Sequence, residues 1–513
     1  MKKIILVFMT MSLLLFYAFP AAAVENEERK WQDETIYSIL IDRFNNGDNA
    51  NDYEVNTKDP LAYHGGDFEG IIKQLDYIKD MGFTTILLSP VFDNGSKGYH
   101  GYWTHDFTKP EEHFGTMETF KRLVDEVHKR DMKIMLDIFV NQVNPNHPWL
   151  SDTSKSDWFQ KETDITNGEN QEELGNSWLD GLPELNHENP EVRQYLLDAA
   201  KWWIEEGKID GYRVNHVQQV PADFLKEFSE EVKGVKDDFY LLGEVRSNDP
   251  TSIVEYEDLG LDGFLDYPSN EMLRAAFAQP DQTMAGLFSA LEEKENLFKN
   301  PGLVTKFMDN HDTSRFTRDA VVLNEHPGAR WKMALTYLYT TPGIPIVFYG
   351  SEIALDGGET PENFGQMNFL TDKELVDYLS QLGEIRGKNP SLARGSFELL
   401  HEQAGMAVFK REYEDEISVI AINNTSGTKN VNIPVEELKD DMELRGLLAG
   451  DLVRSNEGGY DLVLDREEAE IYVLSEKTGI NIAYLTAMLV VVVLFILFII
   501  LLKKRAKRGT TNS

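Results

Sequence analysis

Eight times along the chain a short run of apolar and β-branched residues is followed by a longer amphipathic stretch. No other feature restricts the fold as much. The runs are Ile36 to Ile41, Thr85 to Leu88, Lys133 to Phe139, Gly211 to Val214, Tyr240 to Gly243, Gly263 to Asp266, Val304 to Met308 and Ile344 to Phe348. Their length and composition predict strands, and the helical periodicity of Met117 to Arg130, Pro190 to Glu206, Ala222 to Val232 and Arg330 to Thr340 predicts the crossovers between them. Repeated βα units in this number specify an α/β protein whose parallel strands close into a (β/α)8 TIM barrel.

Two stretches fall outside that repeat. The connection over residues 142–186 is too long for a barrel loop and is rich in Asn, Asp, Ser and Trp, which predicts an inserted domain after the third strand. After Arg394 the periodicity changes to that of β-strands, so a C-terminal β-sandwich domain is expected over 395–475, with the barrel itself over 24–141 and 187–394.

The two ends read as membrane-directed. Lys2 and Lys3, an apolar run from Ile4 to Ala18, then Pro20 and Ala21 to Ala23 have the three parts of a signal peptide over residues 1–23. Residues 480–502 carry no charge and are long enough to span ~30 Å of hydrocarbon as a transmembrane helix. The basic tail 503–513, with Lys503, Lys504, Arg505, Lys507 and Arg508, should stay cytoplasmic. The expectation is a single-pass cell-membrane protein with its main domain outside. The absence of cysteine is compatible with export, because a chain of 513 residues buries enough apolar area without disulfides. With 87 acidic residues against 50 basic ones the formal charge is -37, which argues against a nucleic-acid partner.

A barrel of this kind carries its chemistry where strands end and loops begin. Here the strand ends read Asp42-Arg43-Phe44, Ser89-Pro90 with Tyr99 to Trp103 beyond, Asn141-Gln142, Asn215, Glu244, Asn310-His311-Asp312 and Tyr349-Gly350. Four ordered segments, Asp137 to Gln142, Gly211 to Asn215, Gly243 to Val245 and Phe307 to Asp312, together with Gly181 to Asn186 and Gly98 to Trp103, resemble the signature of the α-amylase family of retaining glycoside hydrolases. Such enzymes pair an acid that protonates the glycosidic oxygen with a carboxylate ~5–5.5 Å away that attacks the sugar carbon.

The resemblance implies the following roles. Glu244 is the general acid/base, Asp312 binds the hydroxyls of the distorted sugar, and Arg213, His311, His100, Tyr102 and Gln142 contact substrate in the same subsite. Asn215 stands at the nucleophile position, where the family normally has Asp. A carboxamide has no anionic oxygen, so hydrolysis is expected to be impaired. Gln142 replaces a usual His, and Gln218-Gln219 replace a Lys-His pair of many relatives. The implied substrate is an α-1,4-glucan such as starch or a maltodextrin. Three readings stay open: a working hydrolase, a catalytically silent glucan-binding or scaffold protein, and a glycosyl transferase.

The stretch Asn45 to Asp52, followed by Gly65-Gly66-Asp67, clusters hard oxygen ligands of the kind calcium takes. It resembles the calcium loop of bacterial amylases, which implies ligands from Asn46, Asp48, Asn51, Asp52, Asp67 and the carbonyl of Gly65. A second calcium site would use Asn141.

Overall fold

Eight short strands, all parallel, form one sheet: β1 Ile36–Ile39, β2 Thr85–Leu88, β3 Lys133–Ile138, β4 Gly211–Val214, β5 Tyr240–Gly243, β6 Gly263–Phe264, β7 Thr305–Phe307 and β8 Ile344–Phe348. Their order is β6-β5-β4-β3-β2-β1-β8-β7, with Ile36 of β1 opposite Thr85 on one side and Ile346 on the other. The open edges meet through a parallel bridge between Leu265 and Thr305, reinforced by the Asp266 amide donating to the Thr305 carbonyl at 2.9 Å. The ring is thereby nearly closed. The computed structural model describes residues 29–161, 182–456, 458–477 and 482–509, and the elements discussed lie in the unit from Gln32 to Ser513. The signal peptide expected at 1–23, residues 162–181 of the expected insertion and the last four residues of the tail lie outside the described residues.

Burial on both faces explains why the strands read as unbroken apolar runs. All four positions of β1, β2, β4 and β5 are buried, as in any parallel sheet covered by helices. The covering helices start where the sequence offers caps. Asp67 accepts from the Gly70 amide at the head of α1 (Phe68–Asp80), Thr116 accepts from Thr119 at α2 (Met117–Lys129), and Asn189 with Pro190 opens α3 (Pro190–Gly207). The helices α4 (Ala222–Val235) and α5 (Pro327–Thr340) complete those anticipated. Helix α5 begins three residues before the expected Arg330, because Pro327 supplies an N-terminal turn that periodicity alone does not register. Strands stop short of the expected ends at Ile41, Phe139, Asp266 and Met308: Ile41 opens a short helix, Ile41–Phe44, and the other three turn out of the ladder.

The described parts of the insertion are held together by antiparallel bridges from Gln142 to Glu184 and from Phe159 to Leu185. The C-terminal region is an unequal pair of antiparallel sheets, one of six strands and one of two. Met406, Val408, Val419, Leu444, Tyr460 and Leu462 share its core. Its connection to the barrel is polar as well as apolar. Arg411 of the six-stranded sheet donates to the Thr340 carbonyl at the end of α5 at 2.5 Å, next to the barrel's own Arg386, which donates to Tyr339 at 2.8 Å, and Lys306 of β7, which donates to Leu338 and Thr341 at 2.8 Å each. Positive charge at a helix C-terminus is where the macrodipole favours it.

The last described element is a helix, Ile482–Gly509, along which the apolar side chains Met488 to Leu501 are exposed. Among the described residues no helix is long and apolar enough to cross a membrane. The transmembrane helix expected over 480–502 is therefore not found there.

Candidate active site

Strands β3 and β4 pair in register with Asp137 opposite Arg213, so the two side chains leave the sheet side by side. Arg213 grips the carboxylate with both ends of its fork, Nε on Oδ1 at 2.6 Å and Nη2 on Oδ2. Tyr102 adds its hydroxyl to Oδ2 at 2.9 Å. Burial opposes the charge on Arg213, but the adjacent Asp137 carboxylate outweighs it and drives the guanidinium pKa upward. Asn215, two residues along the same strand direction, is fully buried and donates Nδ2 to Asp137 Oδ1 at 2.5 Å. Its Oδ1 has no hydrogen-bond partner among the described residues. Asp137 thus collects an arginine, a tyrosine and the Asn215 amide.

The ends of β5 and β7 form a different group. Glu244, fully buried, meets the hydroxyl of Tyr267 through Oε1, while its Oε2 has no partner among the described residues. The same hydroxyl lies 3.1 Å from Asp312 Oδ2 and accepts from Asn310 Nδ2 at 2.8 Å. Burial raises the Glu244 carboxyl, with His311, Arg246 and Arg213 pulling down and Asp312 pushing up. Asp312 is a quarter exposed, and the opposite result holds there: burial works upward, yet His311, Arg246 and His216 keep it below the ordinary carboxylate range. One cleft therefore holds a carboxyl pushed up beside one held down, the division of labour that general acid chemistry at a glycosidic bond requires.

Aromatic rings line the space between these groups. Tyr102 stacks on His311 with centroids 5.0 Å apart and planes 19° from parallel, and His100 stacks on the other side of Tyr102 at 5.7 Å. Arg213 lies 3.3 Å from His311 Nδ1, and because a guanidinium only donates, that nitrogen is the acceptor. The other ring nitrogen, Nε2, is 3.4 Å from Asp312 Oδ2. His100 Nδ1 accepts from the Tyr102 amide at 3.0 Å, and burial, with Arg43 and His311 nearby, keeps its ring neutral down to about 3.

The structure thus brings Arg213, Asn215, Glu244, Asp312, His311, His100 and Tyr102 into connected contacts. Gln142 is buried at the mouth of the insertion, with its backbone paired to Glu184. Gln219 is 2% exposed and accepts from Asn141 Nδ2 at 3.2 Å, an internal tie in place of the expected sugar contact. Sequence reasoning missed Arg246 and Tyr267. The signal for Arg246 was its place two residues after Glu244, on the same side of the strand end. Tyr267 follows Asp266 at the end of the sixth strand, the one strand end to which no polar role had been given.

The calcium loop fits the ion in part. Asn46 Nδ2 contacts Asp52 Oδ1 at 2.8 Å, and a Cβ on Gly65, whose φ is +90°, would strike Asn46 at 2.5 Å and Asp52 at 2.8 Å. These three converge, and the buried Asn51 Oδ1 has no partner among the described residues, as a ligand oxygen awaiting a cation would. Asp67 does not fit. Its two oxygens accept from Gly47, Asp48 and Gly70 amides at 2.6–3.1 Å, which makes it the cap of α1. Asp48 Oδ1 is likewise used by the Ala50 amide at 3.0 Å. At the second position Asn141 Oδ1 is buried without a partner among the described residues, one residue before Gln142, whose backbone pairs with that of the buried Glu184 in the insertion.

A barrel whose strand ends hold a raised carboxyl beside an ionised one defines the class of barrel glycosidases and their transferring relatives. The chain belongs to the alpha-amylase family: the model described as "Alpha amylase, catalytic domain" matches residues 38–384, and that of the "Alpha-amylase C-terminal domain" matches 395–472. It is 33% identical over 462 residues to the beta/alpha-amylase of Paenibacillus polymyxa, covering 86% of this chain and 38% of that protein. The chain thus spans well under half the length of that relative. The cyclomaltodextrin glucanotransferase of Klebsiella oxytoca is 29% identical, with 82% of this chain and 75% of that protein covered. Among solved structures, an Anoxybacillus alpha-amylase aligns at 57% identity and a TM-score of 0.87, over 88% of this chain and 100% of that one. The alpha-amylase of Geobacillus thermoleovorans complexed with acarbose aligns at 52% and 0.85, with 88% and 100% covered.

Proposed function

We propose that this protein binds α-1,4-glucans such as starch or maltodextrins and cleaves them poorly, because the group at the nucleophile position is an amide. One observation carries the reading: Asn215 donates through Nδ2 to Asp137 at 2.5 Å and to the Ile138 carbonyl at 3.5 Å, and the oxygen it offers is neutral. Glu244 can still protonate a glycosidic oxygen, and Asp312 can still receive sugar hydroxyls. The step that forms a glycosyl-enzyme bond lacks its anion. Arg213, which in such a site would steady a negative nucleophile, is occupied by Asp137.

Purified protein mixed with soluble starch tests this. Glucan binding with little release of reducing ends is expected; rapid release would make the protein a working hydrolase. A second reading, glycosyl transfer, draws on relatives named as cyclomaltodextrin glucanotransferases, and it requires a changed distribution of oligosaccharide lengths from one defined maltodextrin.

Calcium, held by Asn46, Asn51, Asp52 and the Gly65 carbonyl, is part of the proposal and would brace the loop beside β1. So is a place at the outer cell surface. What supports the anchor is the uncharged sequence over 480–502, longer than the stretch of described side chains, followed by five basic residues. Cell fractionation of the full chain against one ending before residue 480 checks it: only the full chain should sediment with membranes.

A further inference from the structure

Glu244 and Asp312 share one hydroxyl, that of Tyr267, which also accepts from Asn310. A hydroxyl has a single hydrogen, so it cannot donate to two ionised carboxylates at once. The arrangement is satisfied in only two ways, with the extra proton on one acid or on the other. If Glu244 carries it, Glu244 donates to Tyr267 and Tyr267 donates to Asp312. The reverse assignment would leave Asp312 protonated and Glu244 charged.

What breaks this symmetry is Arg246. Its Nη2 forms an ion pair with Asp312 Oδ2, whereas its Nε stands 3.8 Å from Glu244 Oε1. The same arginine therefore touches one carboxylate and only approaches the other. Asp312 is a quarter exposed and Glu244 is not exposed at all, so solvent favours the charge on the same side. We propose that Arg246 is the positioning residue that sorts the proton in this pair, fixing the negative charge on Asp312 for sugar hydroxyls and leaving Glu244 as the acid.

The other charged groups facing the pair do not make this choice as directly. His311 leans the same way, with Nε2 3.4 Å from Asp312 Oδ2, more distantly than the Arg246 ion pair, and its Nδ1 lies 3.3 Å from Arg213. Arg213 is held bidentately by Asp137. His216 is kept neutral by burial and by the positive Arg246 beside it, down to about 3. The directions found for the two acids, Glu244 up and Asp312 down, agree with the assignment. The idea rests on the proposed glucan cleft for its purpose, though the proton assignment can be measured without any glucan.

The test follows protonated carboxyl groups by infrared spectroscopy in the full chain and in Arg246→Gln, Arg246→Lys, Glu244→Gln and Asp312→Asn. At neutral pH the protonated-carboxyl band lost in Glu244→Gln should be present in the unaltered chain. In Arg246→Gln, acidification should bring in a second band, removable by Asp312→Asn, at a pH ~1–3 units higher than in the unaltered chain, the usual effect of an opposite charge at this range. Arg246→Lys should restore most of that difference.

In an Asn215→Asp background the acid limb of kcat/KM on maltodextrin should move up with it, by more than the basic limb, because the contact is on Asp312. Unchanged titration of both acids in Arg246→Gln overturns the proposal. Failure of every variant to bind maltotriose would sink the glucan reading instead, with the infrared result still deciding the role of Arg246.

Discussion

The two walls of the cleft solve the problem of buried charge in opposite ways. On the β3–β4 wall, Asp137 and Arg213 cancel each other in a bidentate pair, and Tyr102 and Asn215 donate into the same carboxylate. On the β5–β7 wall, two acids share a tyrosine hydroxyl and a single arginine, and one buried oxygen of Glu244 is unpaired among the described residues. On the first wall the Asp137 carboxylate is saturated by its donors, although Asn215 Oδ1 beside it has no partner among the described residues. The second is left unbalanced, which is what a group that must give up a proton needs. In this chain the nucleophile position falls on the first wall.

The comparison can be broken most sharply at Glu244. In an Asn215→Asp background, Glu244→Gln should lower kcat/KM on maltodextrin ~10²–10⁴-fold, the usual worth of general acid catalysis. The same change should leave urea-unfolding stability unaltered or improved, since it removes a buried acid that lacks a full set of partners. Asp137→Ala should behave in the reverse manner. It leaves Arg213 buried without its counter-ion, so unfolding free energy should fall by ~3–5 kcal/mol whatever happens to activity. If both substitutions cost the same in stability, the distinction between the walls fails.

A smaller effect concerns the calcium loop, away from either wall. Free calcium at 100 times its Kd should stabilise the fold by ~2.7 kcal/mol, seen as a fall in Tm on adding a chelator. Exchanging Asp52 for Ala should abolish that response, whereas Asp67→Ala should lower Tm with and without calcium, because Asp67 acts as a helix cap.

The smallest effect is acid sensitivity from buried neutral histidines. His147 and His187 are held neutral by burial, each pushed down to about 4. In the unfolded chain they would take up a proton near 6.5. The stability they contribute is therefore complete above that value and is lost as pH falls from about 6.5 toward 4, because the unfolded state binds more protons in that window. By pH 6 the loss should be ~1 kcal/mol or less per histidine. Thermal unfolding at pH 6 and pH 7.5 checks it.

Much of the barrel was legible because parallel strands buried on both faces leave apolar runs that polar loops interrupt. Strand ends were less so. Ile41, Phe139 and Met308 are as apolar as the strands they leave, so only tertiary pairing decides where the ladder stops, whereas Asp266 leaves its strand to cap the next helix. The candidate cleft was legible through ordered motifs, residue by residue, including the amide at Asn215. Arg246 and Tyr267 were not, since a lone Arg or Tyr at a loop start is common, and their importance lies in distances to Asp312 and Glu244 that no spacing along the chain encodes. In the calcium loop a cluster of Asn and Asp reads as a ligand set, and the spacing does not tell that Asp67 and Asp48 also accept from backbone amides.

The central claim is that the neutral side chain of Asn215 limits turnover in an otherwise equipped cleft. It is tested most directly by comparing kcat/KM on soluble starch for the unaltered chain and for Asn215→Asp, with mass spectrometry of the Asn215 peptide confirming that the amide is intact. A gain of at least ~10³-fold in Asn215→Asp is predicted, in line with the cost of losing a central catalytic group. Equal activity of the two proteins would contradict it.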